Sequence, residues 1–187
     1  MNTKTKTNTL RLATMGMLAA LAVLLVALIH FPLLPAAAFL EYDPADIPVL
    51  IGTFLYGPWA GLALTAVVSI VQACTVSAAS GWIGCVMHLA ATGVFSVVAG
   101  LIYRKHCTRK GAVVALCAGS VCMAIVMAGC NLVLTPLFMG QGIKTVIDML
   151  VPVIIPFNLL KSGINSVVTF LLYKPLSSFL HGIGAKA

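Results

Sequence analysis

Long apolar runs separated by short polar breaks organise this chain. They fall at about residues 12–31, 47–56, 59–79, 82–103, 112–138 and 149–173. About 20 helical residues cross a bilayer, so every run except the second is long enough to span one. The stretch "DIPVLIGTFLYGPWAGLALTAVVSIVQACTVSA" reads as one over-long helix or as two. Gly57-Pro58 is the natural break, because proline lacks an amide donor and restricts the residue before it. The second run then rises only about 15 Å, half the depth of a hydrocarbon core. With its inner end fixed at Gly57-Pro58, its outer end starts inside the membrane layer. The preceding "PLLPAAAFLEYDPADIP" must therefore dip inward, which is tolerated only where backbone is buried in protein or lines a cavity.

Composition settles the environment. Of 187 residues, 61% are hydrophobic and 8% charged, whereas soluble domains carry about 25% charged residues. The chain is an integral membrane protein of one domain, residues 1–187, in contact with lipid. The net charge of +7 does not signal a nucleic-acid partner, because the basic residues sit in short clusters between apolar runs. With two helices in the ambiguous stretch, Lys4, Lys6, Arg11, Arg104, Lys105, Arg109, Lys110, Lys174 and Lys186 share one side, nine of the eleven basic residues. Glu41, Asp43, Asp46 and Asp148 fall on the other side or at its margin. The positive-inside rule makes the basic side cytoplasmic. The predicted fold is all-α, with six transmembrane helices, both termini cytoplasmic, and a short second helix preceded by an inward-folded external loop. The N-terminal basic residues, apolar run and "PAAAF" resemble a signal peptide. The run from Leu12 to Ile29 exceeds a cleavable core of about 7–15 residues, so it is read as an uncleaved first helix.

Polar residues inside the apolar runs carry the candidate chemistry. In "VPVIIPFNLLKSGINSVVTFLLY", Asn158, Lys161 and Asn165 are spaced i, i+3, i+7 and share a helix face. Pro152 and Pro156 lie one to two turns outward and bend that half. Asn131 lies within the fifth run. Three amides and an ammonium thus converge between the last two helices, suiting a neutral, planar, hydrogen-bonding ligand. Such residues also glue helices together. Lys161 resists that reading, because Asp148 is about 20 Å away along a helix and no other acid is placed at its depth. An unpaired lysine at mid-membrane marks a functional site.

Other signals exclude more than they propose. "GQGIKT" (140–145) lacks the Gly-Lys-Ser/Thr of a phosphate-binding loop. The six cysteines and four histidines show no metal-ligand spacing, and His30, His88, His106 and His181 are read as interfacial or packing residues. No catalytic constellation is visible. A membrane enzyme using Lys161 as base or nucleophile requires a second titratable partner at the same depth, and a purely structural subunit leaves Lys161 unexplained. On the first helix Ala13, Gly16, Ala20 and Ala27 form a small-residue stripe that lets another helix approach closely.

"FLEYDPADIPVLIGTFLYGPWAGL", "GCNLVLTPLF" and "IIPFNLLKSGIN" together resemble the riboflavin-specific S components of energy-coupling factor (ECF) vitamin transporters, the RibU family. The resemblance covers essentially the whole chain. It implies six helices, cytoplasmic termini and an outward-facing vitamin pocket under the loop between helices one and two. Polar ligand contacts would be Asn131, Asn158 and Lys161, with Leu40, Glu41 and Tyr42 covering the ligand and Asn165 left to helix packing. Ala13, Gly16 and Ala20 would dock the transmembrane coupling subunit, glycine replacing the first alanine of the family's AxxxA-type motif. Two cytoplasmic ATPases would complete the transporter. Riboflavin would be the transported ligand and no cofactor is implied. An S component for another vitamin or a flavin analogue shares this architecture.

Overall fold

The turn at Gly57 sets the topology. Its φ of 94° lies in the region that only glycine visits without strain. Pro58 then opens the next helix at a position where its missing donor costs nothing. The computed structural model describes residues 3–34 and 39–184, with side chains for 8–34 and 39–175. The side chains of Lys4, Lys6, Lys186 and His181 and most of "PAAAF" lie outside the described residues.

In chain order the elements are α1 (Thr3–Leu28), two short strands β1 (Phe31–Pro32) and β2 (Glu41–Tyr42), then α2 (Asp46–Tyr56) and α3 (Pro58–Cys74). They continue through a 3-10 turn (Ala78–Ser80) to α4 (Gly81–Lys105), α5 (Arg109–Met139), α6 (Ile143–Met149) and α7 (Ile155–Gly184). A π-helical turn, Leu150–Ile154, joins α6 to α7. Neither Pro152 nor Pro156 has an amide hydrogen to give the regular ladder, and the helix widens there. Among the described residues, four helical stretches are long and apolar enough to cross a membrane: Asn8–Leu28, Ala78–Lys105, Arg109–Met139 and Ile143–Pro175. α2 and α3 are shorter apolar helices.

α2 is the centre of the bundle. Every residue from Asp46 to Phe54 is buried, as expected of a helix that is apolar all round. One side packs with Leu18, Ala22 and Val26 of α1 and Leu64 and Val68 of α3. The other packs with Phe95 and Ala99 of α4 and Leu116 of α5. Around this centre the bundle turns apolar side chains outward, among them Leu12, Met17, Leu24, Val114, Ile125 and Leu171, the surface a lipid solvent requires.

The helices approach closely where side chains are smallest. A Cβ built on Gly100 lies 2.8 Å from the Cα of Pro58, and backbone cannot swing aside. Gly100→Ala is therefore expected to lower stability by about 1–3 kcal/mol, the usual cost of overpacking. Thermal unfolding in detergent reads that loss directly, and an unchanged midpoint would show that α3 and α4 can separate freely.

β1 and β2 pair antiparallel, Phe31 with Tyr42 and Pro32 with Glu41, and turn the α1–α2 segment back over the bundle. Leu40 is buried with Val146, Ile154 and Phe157. The inward-folded segment expected from the shortness of α2 is present, and it caps the end of the bundle where α6 meets α7.

Candidate functional site

Under that cap lies an open cavity lined from α3, α4, α5, α7 and the folded segment. Asn131 on α5 and Asn158 and Lys161 on α7 all line it, as do Leu40 and Glu41 from the cap. Tyr42 and Asn165 stand behind the wall. The side chain of Tyr42 is buried and donates to Asn165 Oδ1 at 2.9 Å.

Asn131 and Asn158 each spend part of their hydrogen-bonding capacity within their own helix. Asn131 Nδ2 donates to the Met127 carbonyl at 2.8 Å, and its Oδ1 accepts from Thr135 at 2.8 Å. One amide hydrogen remains for the cavity. Asn158 Nδ2 donates to the Ile154 carbonyl at 2.8 Å, at the π turn, and its Oδ1 takes no bond among the described residues. Both side chains are therefore held in place before a ligand arrives.

Lys161 corrects the sequence reading. It is not unpaired: its Nζ donates to Asp43 Oδ2 at 2.6 Å. Asp43 and Lys161 are 118 residues apart, and counting along the last helix finds only Asp148. The folded segment carries Asp43 down to the lysine. Burial is the largest single influence on the Asp43 carboxyl and works to raise it, against the pull of the Lys161 ammonium. Together with His88 and the Ala45 amide, it holds the group below the ordinary carboxylate range.

A second acid, Asp46, is fully buried at the start of α2. Its Oδ1 accepts from Thr92 Oγ1 at 2.6 Å and its Oδ2 from Asn165 Nδ2 at 3.0 Å. Asn165 Nδ2 also reaches the Asp43 carbonyl at 3.3 Å. Asn165, read from sequence as helix packing, thus fastens the cap and α2 to α7. Both acids lie close to Lys161, contrary to the expectation that the polar cluster stands away from every acid.

His88 is likewise more than a packing residue. Its Nδ1 lies 2.7 Å from Ser69 Oγ and its Nε2 3.8 Å from Asp46 Oδ1, and it lines the cavity. The sequence offered only a lone histidine, and the signal that finds it is the proximity of α3 to α4. At the rim His30 Nε2 meets Glu41 Oε2 at 2.6 Å, with both side chains substantially exposed.

On α1 the small-residue stripe faces outward. Ala13, Gly16 and Ala20 are exposed, and the buried stripe of that helix is Thr14, Leu18, Ala22 and Val26. Nothing lies within 4 Å of where a Gly16 Cβ would be, so internal packing does not use this face. No cluster of metal-ligating residues occurs among the described residues.

Membrane-length helices around one polar-lined cavity, capped by a folded segment, define a multi-pass membrane protein built to bind a small molecule. The sequence model for "ECF transporter, substrate-specific component" matches residues 10–173. The chain belongs to that family, and as a transporter component it is not an enzyme. It is 28% identical to the riboflavin transporter FmnP of Bacillus subtilis, over 91% of this chain and 93% of that protein. It is 31% identical to riboflavin transporter RibU of Streptococcus thermophilus, over 93% of this chain and 86% of the relative. RibU of Staphylococcus aureus is also 31% identical, over 92% and 93% respectively. A solved S component of a bacterial ECF transporter superposes with a TM-score of 0.77 at 31% identity, covering 91% of this chain and 96% of that one.

Proposed function

We propose that the chain is a single membrane-embedded domain, residues 1–187, that captures riboflavin from outside the cell as the S component of an ECF transporter. The observation that carries this reading is the convergence of Asn131, Asn158 and Lys161 on one capped cavity. Relatives about 30% identical over most of the chain are riboflavin transporters, which supports the same ligand here. The lysine donates to a ring carbonyl. The asparagines offer an acceptor and a donor, matching the alternating carbonyl and N–H of the flavin imide edge. Leu40 and Glu41 cover the ligand, and Tyr42 acts through Asn165 to anchor the cover.

α2 and α3 count as two short spans, giving six, with both termini in the cytoplasm. Arg11 and Arg104 line a recess at the Gly57 turn, and Arg11 stacks on Tyr56 with 5.4 Å to the ring centroid. That basic end is the cytoplasmic one by the positive-inside rule, which turns the cap and the acids outward. Ala13, Gly16 and Ala20 form the docking face for a transmembrane coupling subunit. Two cytoplasmic ATPases supply the energy for release inside.

Protein purified in detergent without added ligand is expected to be yellow and to release riboflavin on denaturation. Colourless protein that fails to quench flavin fluorescence on titration would sink this assignment.

A further inference from the structure

The charges of this chain are divided between its two ends. Its four carboxylate side chains are Glu41, Asp43, Asp46 and Asp148. Glu41 and Asp43 belong to the cap, Asp46 opens α2 beneath it, and Asp148 lies on α6, which packs against the cap. The other end of α2 is about 15 Å away along the helix, and there Arg11 of α1 and Arg104 of α4 line the recess at the Gly57 turn. Lys105, Arg109 and Lys110 follow where α4 leads into α5. Among the described residues no carboxylate pairs with any of these five cations, so their counter-charge comes from outside the chain.

The two arginines of the recess are differently prepared. The Arg11 guanidinium lies over the Tyr56 ring and reaches the Tyr56 carbonyl at 3.5 Å, a long bond that orients it and uses little of its donor capacity. The Arg104 guanidinium has no protein partner among the described residues. Each guanidinium presents a planar fork of N–H donors that matches two oxygens of a phosphate. The surroundings say which phosphate. Trp59 lines the recess and is 69% exposed. Leu101, one turn from Arg104 on the same face and toward the membrane interior, is exposed as well. Cations beside an interfacial tryptophan, with apolar side chains a turn deeper, follow the polarity of a lipid head group above its acyl chains. A soluble anion needs neither Trp59 nor Leu101.

We infer that the recess between Arg11 and Arg104 binds the head group of an anionic phospholipid, its phosphodiester on the two guanidinium groups and its acyl chains running past Trp59 and Leu101. In the orientation proposed above the lipid belongs to the cytoplasmic leaflet. The inference does not depend on which ligand the capped cavity takes. α1 packs on α2 and α3, and a phosphate shared by Arg11 and Arg104 ties it to α4 as well. Bound lipid therefore stabilises the bundle at the end opposite the cap.

The test counts phosphatidylglycerol bound to detergent-purified protein by native mass spectrometry. Phosphatidylcholine serves as the neutral lipid, and glycerol phosphate as the head group without its chains. The variants are Arg11→Gln and Arg104→Gln, with Lys110→Gln as the control, the same loss of charge at the same end but outside the recess. Wild-type protein is expected to hold phosphatidylglycerol roughly tenfold better than phosphatidylcholine, and each arginine variant to lose roughly fivefold, while Lys110→Gln stays within about twofold. Glycerol phosphate should displace no lipid. Arg104→Gln gives up no bond to the protein and should unfold, free of lipid, at the wild-type temperature, so it carries the comparison even where Arg11→Gln is less stable. Equal binding of the two lipids, an equal loss in all three variants, or displacement by glycerol phosphate overturns the lipid site. Undiminished lipid binding by arginine variants that lose uptake beside the coupling module also overturns it, and gives the recess to a protein partner.

Discussion

Lys161→Met is expected to weaken flavin binding roughly a hundredfold, about 2–3 kcal/mol, the loss of a charged donor from a shielded site. The same substitution should also lower stability, because it strands Asp43 beneath the cap. Removing one partner of a buried ion pair costs about 3–5 kcal/mol. The two side chains here retain 11% and 16% exposure, which places the cost near or below the low end of that range. The double variant Lys161→Met with Asp43→Asn separates the two effects: unfolding temperature should recover while affinity does not. Asn158→Ala is the reference, since among the described residues the only bond it loses is to a carbonyl of its own helix. It should bind more weakly and remain about as stable as wild type. Full affinity in Lys161→Met would reduce the ammonium to a fastener for the cap.

The second large effect is expected at Asp46. This carboxylate accepts from Thr92 and Asn165 in a site with no solvent exposure. Asp46→Ala strands the Thr92 hydroxyl hydrogen and one of the two Asn165 amide hydrogens, at about 1–3 kcal/mol each, and removes a negative charge from the first turn of α2, where the helix dipole favours it. A loss of about 3–4 kcal/mol follows, visible as a lower thermal midpoint in detergent. Because Asn165 also holds the Asp43 carbonyl and Tyr42, bound flavin should dissociate faster from this variant. An unchanged midpoint together with an unchanged dissociation rate would show that the cap is held elsewhere.

Those two carboxylates also mark the limit of what the sequence discloses. Apolar run lengths and Gly57-Pro58 were enough to separate α2 from α3. The shortness of α2 was enough to bring the preceding segment inward. Helical spacing put Asn158, Lys161 and Asn165 on one face, and the structure sets the first two on the cavity and the third behind it. What spacing could not supply was the depth reached by Asp43, since a loop has no fixed rise per residue. Lys161 therefore looked isolated when its partner was already in the inward-folding stretch. Gln72 and His88 escaped for a related reason. They belong to different helices, and only the packing of α3 against α4 brings both to the wall of one cavity.

The burial of α2 has a consequence for how the protein is made. Its eleven residues rise about 16 Å, too short to cross the bilayer unaided, and it begins with a carboxylate. Such a segment finds its first shelter against α1 and α3 and the rest when α4 and α5 are synthesised. Asp43 and Asp46 wait longer still, because Lys161 and Asn165 belong to the last helix. A chain stalled before α7 therefore has the α2–α3 hairpin and no closed cavity, so binding competence is acquired only at the end of synthesis.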